Sequence, residues 1–215
     1  MGNVEYFTLP NNKQKMEDLR STFEDELREE IAKYGNISKM KPQQVAQIIR
    51  RWYANRMEGL TFPVIQFAKD LDIQVIVADF ANKTHKSRDD QGKLKGYLGL
   101  YPNKADMSTR IVVSNTESYG HQRWTVAHEI WHYLMHATEE RTEVDYYPED
   151  SINYGLDDAS EEANANKFAT ELLMPETTFK VAYKETSRWR RKHKLALMFM
   201  VSQKAIKRRI CELKL

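Results

Sequence analysis

Arg123-Trp124-Thr125-Val126-Ala127-His128-Glu129-Ile130-Trp131-His132-Tyr133-Leu134-Met135-His136 is the stretch on which the reading of this chain turns. It lies in a helical pattern running from about Gln122 to His136. Residues four apart on a helix share a face, so His128 and His132 can offer an imidazole nitrogen each to one ion. Zinc suits such a pair, because it accepts tetrahedral nitrogen and oxygen ligands. Glu129, beside the first histidine, is placed to take a proton from a water that the metal has acidified.

Two histidines leave such a site one ligand short. A histidine ten positions after His128 is ruled out, because Thr138 stands there and no glycine bends the chain between it and His132. His136 is separated from His128 by eight helical residues, about 12 Å, and is assigned to packing or to a rim. A second helical pattern, from about Ala159 to Leu173 and stopped at Met174-Pro175, supplies the other option. Within it Glu162 and Asn166 share a face, so one can ligate the metal while the other holds a ligand histidine. Glu161 points about 100° away and reads as solvated or as a partner of the helix dipole.

Upstream, Met16, Leu19, Phe23, Leu27 and Ile31 recur at helical spacing and Gly35-Asn36 ends the stretch. Val45, Ile48, Ile49, Trp52, Tyr53 and Met57 form a second apolar face after Pro42, and Pro63 opens a short helix reaching Asp70. Ile73–Val77, Gly96–Leu100 and Arg110–Val113 read as strands, and Ala81–Lys95 as a loop. The acidic stretch after His136 reads as loop, and everything beyond Pro175 as helical.

The 215 residues are enough for one real core, with 41% hydrophobic and 30% charged residues. No apolar run is long enough to span a membrane, and Met1–Asn12 lacks the basic and apolar regions of a secretory signal. Cys211 is the single cysteine, which excludes an internal disulfide and cysteine-based zinc fingers. The expected location is the cytoplasm. A net charge of +2 hides an asymmetry: Lys184–Leu215 holds eleven Lys/Arg and two acids, Thr138–Glu162 ten acids and one Arg. Solvated surface is the plain explanation; the alternative sets the basic tail against nucleic acid or an acidic partner and the acidic stretch at a cleft rim.

Taken together, these residues resemble the ImmA/IrrE family of metallopeptidases over roughly Pro63 to Leu213. The stretch Arg123–His136 is similar to the family's R-F-T-x-A-H-E-x-x-H-x-x-x-H block, and Glu162–Pro175 (Glu-Ala-Asn-Ala-Asn-Lys-Phe-Ala-Thr-Glu-Leu-Leu-Met-Pro) to its E-x-x-A-N-x-F-A-x-x-L-L-M-P block. The Gly96-Tyr97 strand and Ile111-Val112-Val113 with Asn115 fit as well. The resemblance implies His128, His132 and Glu162 as ligands of one zinc ion (another divalent metal stays open), Glu129 as the catalytic base, and Asn166 behind the ligands. Trp131 departs from the glycine usual before the second histidine, which is expected to narrow the cleft. Asn164 stands where a second glutamate is common, which favours Glu162 as the ligand. Leu195–Arg209 is similar to an L-A-x-x-F-x-V-S-x-x-A-x-x-x-R segment with a helix-turn-helix look.

The expected fold is α+β, a minimal zincin-like domain with a small β-sheet, an active-site helix and additional N- and C-terminal helices. Residues 1–60 would form a helical extension, 61–186 the catalytic domain, and 187–215 a basic tail packed on it in preference to DNA. The Ile111 strand is the candidate sheet edge for an extended substrate. Candidate oxyanion or substrate contacts are Arg123, Tyr146, Tyr147 and Tyr154. The family implies a regulatory endopeptidase acting on a protein such as a helix-turn-helix repressor of a mobile element or stress response. The contrasting readings are a non-enzymatic, metal-stabilised DNA-binding regulator and a phage- or toxin-type peptidase with a host target.

Overall fold

The computed structural model describes residues 23–78, 96–100, 109–136 and 158–215; for 96–100, His136, Asp158 and Ala159 the description covers the backbone alone. Three α-helices precede the sheet among the described residues. Helix α1 (23–32) stops before Gly35, whose φ of +131° is open to glycine and closed to most other residues. Helix α2 (Pro42–Trp52) begins with proline at its first position, and the Lys41 amide donates to Gln44 Oε1 at 3.2 Å. Helix α3 (Val64–Asp70) follows Pro63. Asp72, at φ +60°, then turns the chain into the first strand.

Three strands make one mixed sheet in the order β1-β3-β2: β1 (Ile73–Ala78), β2 (Gly96–Leu100) and β3 (Thr109–Ser114). Strand β3 pairs in parallel with β1, Val75 opposite Ile111, and antiparallel with β2, Leu98 opposite Ile111. The Ile111 strand is therefore central, and its expected place at the sheet edge is corrected. The physical reason lies in Ile111, Val112 and Val113, all buried. A strand with neighbours on both sides and cover on both faces carries an unbroken apolar run.

The long helix α4 (Tyr119–His136) leaves the end of β3, where Gln122 Nε2 donates to the Ser114 carbonyl at 2.8 Å. It packs on the sheet through β2 and β3 and on helix α5 (Asp158–Leu173). Pro175 ends α5 and opens α6 (Glu176–Glu185), and the chain closes with α7 (Arg191–Phe199) and α8 (Gln203–Glu212). Ser202 caps α8 by accepting from the Ala205 amide at 3.1 Å.

One apolar core joins the parts. Leu27, Ile49, Phe67, Ile111, Ile130, Phe168, Leu172, Phe179, Phe199 and Ile206 all belong to it. Polar ties fix its layers: Tyr133 donates to Glu24 Oε2 at 2.6 Å, joining α4 to α1. Arg50 donates to the Leu172 carbonyl at 2.7 Å, joining α2 to α5. Arg209, 2% exposed, pairs with buried Glu171 and donates to the Met174 carbonyl at 3.0 Å, joining α8 to α5. Gly120 of α4 meets the α7–α8 turn so closely that a Cβ there would lie 2.8 Å from the Val201 carbonyl carbon. No helix among the described residues is long and apolar enough to cross a membrane.

Candidate metal centre

Helices α4 and α5 place His128, His132 and Glu162 together. The two Nε2 atoms are 3.2 Å apart, and Glu162 offers Oε2 at 3.2 Å from His128 Nε2 and Oε1 at 3.1 Å from His132 Nε2. A tetrahedral ion with donors at about 2.0–2.1 Å needs donor–donor edges of about 3.3–3.4 Å. The contacts, which use a different Glu162 oxygen toward each histidine, come close to that size, and the chemistry, two imidazoles and a carboxylate, fits one divalent cation.

The outer nitrogens of both rings are held by α5. His128 Nδ1 lies 3.2 Å from Asn166 Oδ1, and His132 Nδ1 lies 3.3 Å from Glu161 Oε1. With Nε2 turned to a cation, each Nδ1 carries the proton and donates outward, which fixes tautomer and ring plane together. Asn166 thus meets the outer nitrogen of His128, on the side of the ring away from Glu162. Glu161, expected to be solvated or a partner of the helix dipole, also reaches His132 Nδ1.

The pairing also sets the helix geometry. Glu161, early in α5, meets His132, late in α4, while Asn166, one turn on, meets His128, one turn back. The helices run antiparallel at this point, with Ala127 and Ala165 fully buried. Small side chains at the crossing let the backbones close to the distance that three short donors require.

Charge at the site is balanced against burial. Hydrogen bonds to His128 and then His132 hold the Glu162 carboxyl well below the usual carboxylate range. Burial pulls His132 down, yet its hydrogen bond to Glu162 and the charges of Glu129 and Glu162 more than offset it, leaving it raised. Both histidine side chains are 12% exposed and Glu162 is 45% exposed, so the site is reachable from one side. Glu129 directly follows His128 and its charge acts on His132. Trp124 covers the other flank of His128, ring centroids 5.3 Å apart, and stacks on His121.

Other candidates are distributed differently. Arg123 is removed from the oxyanion and substrate contacts: it is 2% exposed and donates to the carbonyls of Phe62, Phe199 and Met200. Its guanidinium is a peg that joins α4 to the tail. Trp131 does not narrow the cleft; it is 3% exposed and packs on Phe168 at 5.3 Å. Helix α4 runs unbroken to His136, so the helix break that coordination by His136 needs is absent. Tyr146, Tyr147 and Tyr154, and most of the acidic stretch, lie outside the described residues.

A His–His–Glu triangle on two crossed helices beside a small mixed sheet defines a zincin-like α+β domain. The chain belongs to the Peptidase_M78 family: the family's model, the IrrE N-terminal-like domain, matches residues 68–211. The family is one of peptidases, and the donor triangle is its metal-site candidate here. A solved Mycobacterium tuberculosis transcriptional regulator has a similar fold, at 16% identity and a TM-score of 0.50 over 88% of this chain. The chain spans about half of that structure's length, 49%. No curated protein matches the chain.

Proposed function

We propose that this protein is a zinc-dependent metalloendopeptidase with His128, His132 and Glu162 as ligands and Glu129 as its general base. The observation that supports the reading most is the set of donor contacts at 3.1–3.2 Å among His128, His132 and Glu162, built on the helix that also carries Glu129. When bound, zinc would supply Lewis acidity toward the scissile carbonyl and toward the attacking water. Glu129 takes a proton from that water as its oxygen adds to the carbonyl carbon, then delivers it to the leaving amine as the C–N bond breaks. Glu161 and Asn166 keep the ligand imidazoles in one tautomer throughout. Tyr146, Tyr147 and Tyr154 stay as candidates for the oxyanion partner.

An extended protein substrate is proposed to pair with the outer edge of β2, which packs on α4 and is an outer strand among the described residues. Following the family resemblance, the substrate class is a helix-turn-helix repressor of a mobile element or stress response, met in the cytoplasm. The test is incubation of the purified protein with a repressor encoded beside it. The wild type should cleave it in a zinc-dependent manner, while Glu129→Gln should bind zinc with unchanged affinity and cleave at least about 100-fold more slowly. Equal cleavage by both forms would overturn the mechanism.

A further inference from the structure

The stretch Arg188-Trp189-Arg190-Arg191-Lys192-His193-Lys194 runs from the α6–α7 connection into the first turn of α7 and carries five permanent cations in seven residues. Its structure is unlike that of an ordinary solvated charge run. Trp189 is 68% exposed, an unusual place for the largest apolar side chain. The Arg190 guanidinium sits 4.5 Å from the Trp189 ring centroid and Lys194 Nζ 5.9 Å from it, while Arg191 lies 4.3 Å over the Tyr183 ring. Beside them opens a groove of about 690 Å³, lined by Tyr183, Arg188, Arg190 and Lys192 and by Gln203 and Ile210 of α8. Helical spacing puts Lys207 on the same face of α8 as Gln203 and Ile210.

Ion pairing leaves this surface positive. Glu176 pairs with Lys180, and Glu171 and Glu212 pair with Arg209. Among the described residues, Arg188, Arg190, Lys192 and Lys207 take part in no ion pair. Guanidinium forks match phosphate oxygens in pairs, and here they stand beside an indole that is largely exposed although Arg190 lies over its ring. A largely exposed indole flanked by cations can serve as a stacking platform for an unpaired base, with the base taking the place of a mobile side chain on the ring. The groove's concavity suits a strand better than a flat bilayer, and a duplex keeps its bases stacked on each other.

We infer that this groove binds single-stranded nucleic acid, with phosphates against Arg188, Arg190, Lys192 and Lys207 and a base stacked on Trp189. The surface is separate from the metal centre and goes beyond the peptidase reading.

The test is fluorescence anisotropy of the zinc-loaded full chain with a labelled oligothymidylate of about 20 nucleotides, longer than one typical binding site. Saturable binding that weakens as salt rises is expected. Trp189→Ala should bind at least about fivefold more weakly and Trp189→Phe should keep most of the affinity. Replacing Arg188 and Arg190 by Ala should flatten the log–log salt dependence by about 0.7 for each phosphate no longer neutralised. The inference is overturned by absent binding at low salt, by wild-type affinity in Trp189→Ala, or by tighter binding of a duplex of equal length. Capture by anionic vesicles or by polyglutamate without any binding of the oligonucleotide overturns it as well. None of these readouts depends on peptide cleavage.

Discussion

Removing the two α5 side chains that hold the ligand imidazoles should weaken metal binding without touching a ligand. Asn166 and Glu161 sit 3.2 and 3.3 Å from the two Nδ1 atoms, one partner per ring. Loss of such a partner typically costs 10- to 100-fold in metal affinity, which is about 1.4–2.7 kcal/mol. Asn166→Ala and Glu161→Ala should each fall in that range. Because they act on different rings, the double variant should lose about 10²- to 10⁴-fold. Competition against a chromophoric zinc chelator at neutral pH reads the affinities directly. Glu161 also lies in the first turn of α5, where a carboxylate stabilises the helix by about 0.3–1 kcal/mol whether or not metal is present. A melt of the metal-free variant therefore separates the two roles. If Glu161→Ala lowered only the metal-free melting temperature and left zinc affinity within about twofold, the carboxylate would be a dipole partner and its hydrogen bond to His132 would have no part in holding the metal.

Three further outcomes follow from the same contacts. Arg209→Met leaves the buried Glu171 charge without its paired cation, though Gln47 and the Glu176 amide still donate to it, and should cost about 3–5 kcal/mol, about 6–20 °C in melting temperature for a chain of this size; pairing it with Glu171→Leu should restore part of the loss, and an additive double variant would refute the coupling. Gly120→Ala drives a Cβ to 2.8 Å from Val201 backbone and should destabilise by about 1–3 kcal/mol, seen as a lower urea midpoint at unchanged slope. In the metal-free chain, Glu162 is depressed, so its contribution holds above the ordinary carboxylate value of 4.5 and is lost as pH falls further. His132 is raised, so its contribution holds below 6.5 and is lost as pH climbs through its raised value. Metal-free stability should accordingly peak between about pH 4.5 and 6.5, and Glu162→Gln should flatten that peak in melts recorded across pH; zinc should stabilise most above the raised value of His132, where that imidazole has lost its proton.

The sequence made the site's skeleton readable because each part has a local signature. Helical spacing sets His128 over His132 and Glu162 over Asn166, and Met174-Pro175 stops α5 where it does stop. What escaped it depends on how elements cross. Glu161 is a 100° turn from Glu162 on an isolated helix, yet α5 lies across α4 so that both flanks of Glu162 reach histidines. Arg123 looks like a surface cation in sequence. Its acceptors, the carbonyls of Phe62, Phe199 and Met200, come from segments 61 to 77 residues away, and no local pattern announces them. The misplaced edge is different, since Ile111-Val112-Val113 carried the signal of a central strand and a reading by apolar continuity would have found it.

The tail's packing changes what the basic C-terminal helices must do before any ligand is considered. Arg123 and Gly120 both lie in the first turns of α4, upstream of His128 by five and eight residues, and both abut the turn between α7 and α8. Arg209 in turn fixes α8 to the end of α5 through Glu171 and Met174. The tail therefore bridges the start of the helix bearing the histidines and the end of the helix bearing Glu162. The donor triangle needs α4 and α5 held at one crossing, where side-chain contacts join His128 to Asn166 and Glu162, and His132 to Glu161 and Glu162. A brace at the far ends of both helices resists the rotation that would open that triangle. The groove between α7 and α8 is thus built on the same brace that keeps the metal centre in shape, and its outward cations remain available because Arg123 and Arg209 hold the brace together from within.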